Sequence, residues 1–381
     1  MNKFAPPKRL QGIEKSVIRQ VFDRARPGSI NLGLGEPDLP TPDVIRRAAV
    51  KAIVEEQNGY TSHAGLPSLR EKVAAEYPYL EQRPERVIIT AGSQEALYLA
   101  LLALVDEGDE VLLPNPGFVA YPTIVRMAGG KASFYRLPRE RGFEFDIDDF
   151  RRALTPRTKV VVCISPSNPT GRVLSEHDLA SIGDALRDHG AYLISDEIYR
   201  DLYYTAGRPG SLSSFYERTI VIGGLSKSMS MTGWRLGWLC GDEPVVQAAL
   251  VLHGYVTTCA SAVSQKASLV SWSDEAEQAR AGFRETFRAR RDHLLALIKS
   301  ELGLRAVTPE GAFYTMLDVS EYGQSMKVAE ALLEERVITV PGAAFGSESE
   351  GFLRVSFCAG HDTLAEGVQR IKRKLSSGQH G

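Results

Sequence analysis

Short apolar runs alternate with helical segments along residues 46–270, and this alternation constrains the fold more than any other feature of the sequence. The runs are short enough to be buried strands, and several are rich in β-branched residues. Gly, Pro or Ser residues follow most of them and indicate turns. Strands that alternate with helices are typical of a mostly parallel sheet with helices on its faces. The runs cover residues 87–90, 110–113, 159–164, 191–195 and 219–222.

Composition excludes several classes of protein. The 381 residues are 43% hydrophobic and 24% charged, which is ordinary for a globular chain of two domains. A net charge of −2 gives no indication of a nucleic-acid or anionic membrane partner. The longest apolar run, residues 97–105, is too short to cross a bilayer, and residues 1–8 lack the apolar segment of a signal peptide. We therefore expect a cytoplasmic protein without a membrane partner.

Cysteines and histidines show no pattern of ligation. The four cysteines are scattered in apolar contexts, and the seven histidines form no cluster with metal-ligand spacing. We therefore expect reduced thiols and no metal site. The end of the chain, residues 376–381, is predicted to be disordered because it is small and polar.

Lys227 stands out as a candidate reactive residue. It follows the strand predicted at residues 219–222, whose end is indicated by glycines and serines, and Arg235 comes shortly before a second apolar run at residues 236–240. An amine among apolar and small residues loses solvation, which lowers its pKa and lets it attack carbonyl groups. The Arg235 guanidinium suits a phosphate or carboxylate. The alternative is that Lys227 is an exposed lysine on a loop and Arg235 is an ordinary arginine at the end of a strand.

The segment that contains Lys227 resembles a known signature. Ser226-Lys227 followed by Thr-Gly-Trp-Arg-Leu-Gly at residues 232–237 is similar to the cofactor-lysine segment of class I/II aminotransferases, in the aspartate aminotransferase superfamily. These are pyridoxal 5′-phosphate (PLP) enzymes of fold type I. The resemblance implies that Lys227 forms an internal aldimine with PLP and that Arg235 binds its phosphate.

The same resemblance implies the fold and its division. The expected α/β architecture has a large domain with a mostly parallel seven-stranded sheet flanked by helices, plus a smaller α+β domain built from both termini. Residues 1–45 are then an N-terminal segment that joins the small domain, 46–275 the large PLP-binding domain, and 276–381 the small C-terminal domain. A helix at residues 275–297, a helix at 326–335 and strands at 311–317, 337–341 and 352–357 are predicted in the last of these.

Other motifs agree with this family in order and spacing. A strand, a Gly/Ser turn and a helix start put free N–H groups at residues 92–94, where an anion could bind. Phe118 matches the aromatic residue that stacks on the pyridine ring, although a core role is an equal alternative. Tyr60 matches a tyrosine that reaches the phosphate in the neighbouring subunit. By resemblance the cofactor-binding residues are Gly92, Ser93, Gln94, Phe118, Asn168, Asp196, Tyr199, Ser226, Lys227, Arg235 and Tyr60.

Asn168, Asp196 and Tyr199 follow two neighbouring predicted strands. Ligands of open α/β sheets bind at the carboxyl ends of the strands, where these residues lie. A carboxylate at the pyridine nitrogen keeps that nitrogen protonated, so the ring can accept electrons. The resemblance implies this role for Asp196, and hydrogen bonds to the ring oxygen for Asn168 and Tyr199. Without the resemblance, two alternatives stay open because both are common: Asp196 could cap a helix, and Tyr199 could be an exposed residue.

Two further segments indicate substrate binding. Arg354 lies in a Leu-Arg-Val run on a predicted strand, and its planar guanidinium can pair with a carboxylate through two hydrogen bonds. Gly35 lies in a Gly-Glu-Pro segment. The resemblance implies that Arg354, Asn168 and the Gly35 N–H bind the substrate, and that Lys227, Asp196 and Tyr199 are the catalytic residues.

The matches together predict an aminotransferase. It would exchange the amino group between an L-amino acid and a 2-oxo acid, with 2-oxoglutarate as the expected acceptor. The resemblance implies a homodimer in which Tyr60 and residues 257–264 reach the neighbouring site. One alternative is a PLP-dependent carbon–sulfur β-lyase, which shares nearly all these motifs. A PLP-binding regulatory protein is disfavoured, because residues 1–30 are too short for a DNA-binding domain.

Two departures from the family pattern concern the phosphate and the substrate. The family often has a hydroxyl residue where Gly224 stands, and Ser226 is the candidate substitute. Aspartate-specific members of one branch bring an arginine from the neighbouring subunit near residues 257–264. No arginine occurs in that segment, so dicarboxylate binding by that route is not expected.

Overall fold

The computed structural model describes residue 7 and residues 11–377, so the expectation for residues 1–8 falls almost wholly outside the described chain. In chain order the helices and strands are α1 (Val17–Asp23), β1 (Ile30–Asn31), α2 (Asp43–Glu55), α3 (Pro67–Ala75), β2 (Val87–Thr90), α4 (Ser93–Leu104), β3 (Glu110–Asn115), α5 (Tyr121–Met127), β4 (Lys131–Arg136), α6 (Ile147–Ala153), β5 (Thr158–Ile164), α7 (Glu176–His189), β6 (Tyr192–Asp196), β7 (Thr219–Gly224), β8 (Gly237–Gly241), α8 (Glu243–Val256), α9 (Ala262–Ser268), α10 (Asp274–Leu297), β9 (Tyr314–Asp318), α11 (Ser325–Glu334), β10 (Val337–Ile338), β11 (Val340–Pro341), β12 (Phe352–Ser356) and α12 (His361–Ser377). Within residues 11–377, none of the helices is both long enough and apolar enough to span a membrane.

Seven strands form the central sheet, in the order β2-β8-β7-β6-β5-β3-β4. β8 runs antiparallel to its neighbours β2 and β7, and the remaining neighbours are parallel. The predicted mostly parallel seven-stranded sheet is therefore confirmed. The carboxyl ends of β5, β6 and β7 lie side by side, which brings the residues that follow these strands to one edge of the sheet.

Helices cover both faces of this sheet. Val160 and Val162 of β5 pack in the apolar cluster that contains much of α4, while Val161 and Cys163 pack in the cluster that contains the buried face of α7. Successive side chains of a strand point to opposite faces, so β5 is buried from both sides. Ser175 caps α7 through reciprocal side-chain and backbone hydrogen bonds with Asp178.

β7 continues through Gly223 and Gly224, so the prediction that these glycines end the strand was wrong. A side chain on Gly223 would overlap the indole of Trp238 on β8. A Cβ on Gly224 would lie 3.1 Å from the Cα of Gly237. The glycines let β8 approach β7 closely.

The N-terminal segment packs against the C-terminal part of the chain. β1 pairs with β10 in parallel, and α1, which the sequence did not predict, packs Val21 against Leu333 and Ile338. β9, β11 and β12 form a separate antiparallel sheet of three strands. These contacts support a smaller domain built from both ends of the chain. The domain bounds at residues 45 and 275 stay a prediction.

Three other predictions need correction. The strand predicted at residues 311–317 begins only at Tyr314, because the Gly311 and Ala312 N–H groups bond to the loop carbonyls of Gly171 and Leu202 instead of a strand. The end of the chain was predicted to be disordered from residue 376, yet α12 extends to Ser377, and residues 378–381 lie outside the described chain. The segment at residues 337–341 forms two short strands.

Candidate active site

Lys227 lies in the loop between β7 and β8, beyond the carboxyl end of β7. Leu225, Met229 and Met231 of this loop are buried and hold it against the core. The Lys227 Nζ donates to the backbone oxygen of Gly35 at 2.8 Å. Burial lowers the pKa of Lys227 to about 8, as the sequence predicts, because the ammonium form loses solvation. A sizeable fraction of this amine is neutral, and nucleophilic, near pH 8.

Asp196 is the last residue of β6 and is buried. Its Oδ2 accepts a hydrogen bond from the Tyr121 hydroxyl at 2.8 Å, and its Oδ1 accepts from the Ile198 N–H at 3.2 Å. Burial raises the pKa of Asp196 to about 6, against the opposite effect of these two hydrogen bonds. A cationic group bound in the cavity would restore the ionised carboxylate, since opposite charges stabilise each other.

Tyr199 is buried beside a second tyrosine. Its hydroxyl lies 2.9 Å from the hydroxyl of Tyr314, which comes from β9. Burial raises the pKa of both phenols, to about 12 for Tyr314. A side chain on Gly35 would overlap the Tyr314 hydroxyl, so only glycine leaves room for this pair. Each phenol has one O–H donor, so one donor is used between the two hydroxyls and one is left for a ligand oxygen.

Arg354 lies on β12 and is 2% exposed. Its Nη1 donates to Asn168 Oδ1 at 2.8 Å, and its Nη2 donates to the Gly33 oxygen at 2.5 Å. The guanidinium carbon lies 4.2 Å from the centroid of the Tyr314 ring and 4.9 Å from that of Phe345. Among the described residues, its Nε has no hydrogen-bond partner. A buried guanidinium with an unsatisfied N–H is suited to an anionic ligand.

A cluster of donors marks the start of α4. Gly92 precedes the helix with a φ of +96°, and a Cβ there would lie 2.5 Å from Arg235 Nη2. Arg235 itself donates to the carbonyls of Thr232 at 2.9 Å and Ala91 at 3.4 Å. The first N–H groups of a helix have no partner within the helix, and its dipole adds positive potential. Together with Arg235 they form an anion site.

These groups surround one cavity of about 280 Å³. The predicted site residues that line it are Gly35, Ser93, Gln94, Phe118, Asn168, Asp196, Tyr199, Ser226, Lys227, Arg235 and Arg354. Gly92 adjoins it through Arg235. Tyr60 lies outside it and is 89% exposed. A single chain therefore collects all the predicted site residues except the one expected to act in a neighbouring subunit.

Several contributors to the cavity were missed from the sequence. Tyr314 lines it directly, and Tyr121 acts on Asp196. Ile18 of α1 and Leu34 add apolar surface. In the sequence, Tyr314 and Tyr121 look like ordinary core aromatic residues, because their contacts depend on elements that are far apart in the chain. The turn signal before α5 could have indicated Tyr121, since it starts a helix after Phe118.

The comparisons with known proteins agree with this geometry. Residues 27–371 match the family described as Aminotransferase class I and II. An aspartate/prephenate aminotransferase of Thermus thermophilus is 38% identical over 355 residues, which is 91% of each chain. The putative aminotransferase YugH of Bacillus subtilis is 36% identical over 379 residues, 96% of this chain and 97% of that one. The structure of an aromatic aminotransferase from Pyrococcus horikoshii OT3 superposes with a TM-score of 0.88 at 32% identity, covering 95% of this chain and 99% of that one.

The donors around the cavity suit the cofactor of this family. An anion site at the start of α4 suits the phosphate of PLP, the buried Asp196 carboxylate suits a protonated ring nitrogen, and a lysine with a lowered pKa suits the aldehyde. The chain belongs to the class I and II aminotransferases, enzymes that use pyridoxal 5′-phosphate to exchange an amino group between an amino acid and a 2-oxo acid.

Proposed function

We propose that Lys227 carries the cofactor and that this aminotransferase uses 2-oxoglutarate as its amino acceptor. The observation that most strongly supports the role of Lys227 is the single cavity of about 280 Å³ around which a lysine with a pKa of about 8, Asp196 and Arg354 converge. The choice of 2-oxoglutarate rests on the resemblance to the family. When bound, PLP supplies an electron sink for the negative charge that develops at the substrate Cα. The chain's own residues would bind, orient and move protons around it.

The phosphate group would be held at the start of α4. The N–H groups of residues 92–94 and the Arg235 guanidinium provide the donors, as helix N-termini do for phosphates generally. Ser226 lines the same cavity and would supply the hydroxyl that Gly224 lacks. These contacts fix the cofactor at one end.

The ring would be held from its faces and its edges. Phe118 would stack on it, and the Asp196 carboxylate would face the ring nitrogen and keep it protonated. The Tyr199 hydroxyl and the Asn168 amide nitrogen would donate to the ring oxygen. The Oδ1 of Asn168 is already occupied by Arg354, which leaves Nδ2 as the group free to donate.

Lys227 would act twice. Its neutral amine would first hold the cofactor, and after a substrate amine displaces it, its Nζ would take the proton from the substrate Cα. A general base works best when its pKa lies near the working pH, and burial has brought the pKa of Lys227 to about 8. The Gly35 oxygen, 2.8 Å away, orients this amine in the cavity.

Arg354 would bind the substrate α-carboxylate, and replacing it with lysine tests this role. Lysine keeps the positive charge but cannot hold Asn168 and Gly33 while presenting two parallel N–H groups. For Arg354→Lys we expect KM for the amino acid to rise about 30- to 100-fold, the equivalent of about 2–3 kcal/mol, with a smaller change in kcat. Initial rates over a range of amino acid concentrations measure both. An unchanged KM would contradict the assignment.

We also propose that the enzyme is a homodimer. Large apolar side chains are exposed on neighbouring elements at one side of the molecule. A Cβ on Gly254 of α8 would lie 3.1 Å from His63 Nδ1, so the segment after α2 lies against α8. Exposed apolar area of this kind marks protein interfaces. The side chains are Val50, Ile53 and Val54 of α2, Tyr60, and Val251, Tyr255 and Val256 of α8.

A charge placed on this surface should separate the subunits. Ile53 is 62% exposed, and in a two-fold symmetric interface each substitution is present twice. We expect Ile53→Glu to shift the protein from dimer to monomer, and to lower activity because Tyr60 would no longer reach the neighbouring site. Sedimentation velocity measures the change. The matched control is Phe134→Glu, on the edge strand β4, which should leave the oligomer unchanged. A dimeric Ile53→Glu protein would contradict the proposed interface.

We place the enzyme in the cytoplasm. All four cysteines are free, and Cys163, Cys240 and Cys358 are buried in the core. Free thiols are the usual state in a reducing compartment.

The reaction is tested with single amino acids as donors. Purified protein with PLP is incubated with each amino acid and 2-oxoglutarate, and glutamate and pyruvate are measured. The proposal predicts that at least one donor yields its 2-oxo acid and an equal amount of glutamate. Release of pyruvate from cysteine-type compounds without glutamate would favour the β-lyase instead.

A further inference from the structure

Glu95 is an acidic side chain in the first turn of α4, directly after the residues proposed to bind phosphate. Its side chain is 9% exposed. Ser93 and Gln94 line the cavity, whereas Glu95 points into the protein and makes its contacts there. A carboxylate close to a phosphate site opposes phosphate binding through charge repulsion. A carboxylate at this position should therefore contribute to the site in a way that offsets this repulsion.

The two carboxylate oxygens bind different parts of the chain. Oε2 accepts the Ala91 N–H at 2.5 Å. Oε1 accepts the hydroxyl of Thr257 and contacts Nδ1 of His253, a fully buried residue of α8, at 3.1 Å. Burial alone would raise the pKa of Glu95, but the hydrogen bonds from His253, Thr257 and Ala91 lower it overall. The carboxylate is ionised at neutral pH and ties the turn before α4 to the C-terminal end of α8.

The turn that Glu95 holds is the one that presents the phosphate donors. Its Ala91 carbonyl accepts from Arg235 at 3.4 Å, so the two sides of residue 91 are held by Glu95 and Arg235. The Gly92 carbonyl accepts from the Thr90 hydroxyl at 3.0 Å. Glu95 takes the Ala91 N–H and so leaves the next N–H groups, which have no partner within the helix, available to a ligand. The acidic side chain shapes the anion site without occupying its donors.

We propose that Glu95 is a positioning residue for the cofactor phosphate: it fixes the Ala91–Gly92 turn so that the following N–H groups converge on the phosphate, and Thr257 and His253 hold Glu95 in place. This role rests on the proposed function of the cavity. Thr257 also begins the segment 257–264 that is proposed to reach the neighbouring subunit. One carboxylate thus connects the phosphate turn of one site with the segment that would line the other.

The test separates phosphate binding from binding of the rest of the cofactor. Apoprotein is titrated with PLP, with inorganic phosphate, and with pyridoxal, which lacks the phosphate. Visible absorbance follows the two pyridoxal compounds, and calorimetry follows phosphate. In Glu95→Gln, the amide NH₂ must face the donor of either Ala91 or Thr257. We expect the dissociation constants of PLP and phosphate to rise about tenfold, or about 1.4 kcal/mol, and that of pyridoxal to stay unchanged.

Two further variants sharpen the comparison. Thr257→Val removes the hydroxyl donor at similar size, and should raise the same two constants by a smaller factor. Glu243→Gln is the matched control, because Glu243 also lies in the first turn of a helix, α8, but pairs with Arg83 instead of approaching the cavity. It should change none of the three constants.

Three outcomes would overturn either the positioning role of Glu95 or the proposed function of the cavity. Equal affinities of wild type and Glu95→Gln for PLP and phosphate would overturn the positioning role. A parallel loss of all three ligands, pyridoxal included, would also overturn it, because Glu95 would then only stabilise the fold. A wild-type protein that takes up no PLP would overturn the proposed function itself, and that result is visible before any variant is made.

Discussion

Replacing Lys227 with alanine will abolish transamination. The substitution removes both the amine that holds the cofactor and the base that takes the Cα proton. Loss of a general base alone costs up to about 10⁴-fold, so we expect kcat to fall by at least ~10⁴-fold. The cofactor's visible absorbance band with this lysine should also disappear. Because the Lys227 side chain contacts the Gly35 carbonyl at a cavity wall rather than the core, the fold should persist.

The measurement for Lys227→Ala combines a spectrum with an assay of glutamate formation. Lys299→Ala is the control, since Lys299 is exposed in the turn that follows α10. The control should keep both the band and the activity. A Lys227→Ala protein that retains either one would show that another residue carries the cofactor.

Replacing Asp196 with asparagine will have the second-largest effect. Asparagine has nearly the same shape but no charge, so it can no longer stabilise a protonated ring nitrogen. Removing one electrostatic stabiliser from a buried site costs about 10²- to 10³-fold in kcat, and we expect a loss of that size. PLP should still bind, because the phosphate donors and Lys227 are unchanged. The Ile198 N–H can donate to the asparagine oxygen while the asparagine NH₂ donates to the Tyr121 hydroxyl, so the side chain can keep the same orientation.

Glu197 offers a matched control for Asp196→Asn. It is the next residue, is equally buried, and accepts hydrogen bonds from Ser195 and Ser211 at 2.9 and 2.5 Å. It does not line the cavity. Glu197→Gln should lower the melting temperature while leaving kcat nearly unchanged in the folded protein. Steady-state kinetics and thermal unfolding of both variants provide the comparison. Equal kcat values for the two variants would argue against a special role of the Asp196 charge.

The sequence predicts the sheet because its strands are short, apolar and separated by turns. The alternation along residues 46–270 was sufficient for the mostly parallel order, and element bounds agree closely in β5 and β6. The predicted end of β7 was wrong because a glycine can either start a turn or leave room for the side chain of a neighbouring strand. Local propensity indicates a turn at Gly223, whereas the indole of Trp238 on the facing strand requires a residue without a side chain there.

The site was predictable where its residues lie in local motifs. Lys227 and Asn168 follow strands and Asp196 ends one, so their shared edge follows from the topology. Tyr314 and Tyr121 lie in no such motif, and their contacts join elements that are far apart, as in the pair of Tyr199 with Tyr314. The role of Tyr60 depends on a second subunit, which the sequence of one chain indicates only through resemblance. Contacts between distant elements are thus what the sequence leaves undetermined.

The most direct test of the account is to identify the lysine that carries the cofactor. The PLP-loaded protein is treated with borohydride, which fixes the cofactor to its lysine, and the digested protein is examined by mass spectrometry. We expect a phosphopyridoxyl group on the peptide that contains Lys227, and we expect it to be lost when the protein is first incubated with a productive amino donor. A modified lysine elsewhere, with Lys227 unmodified, would contradict it.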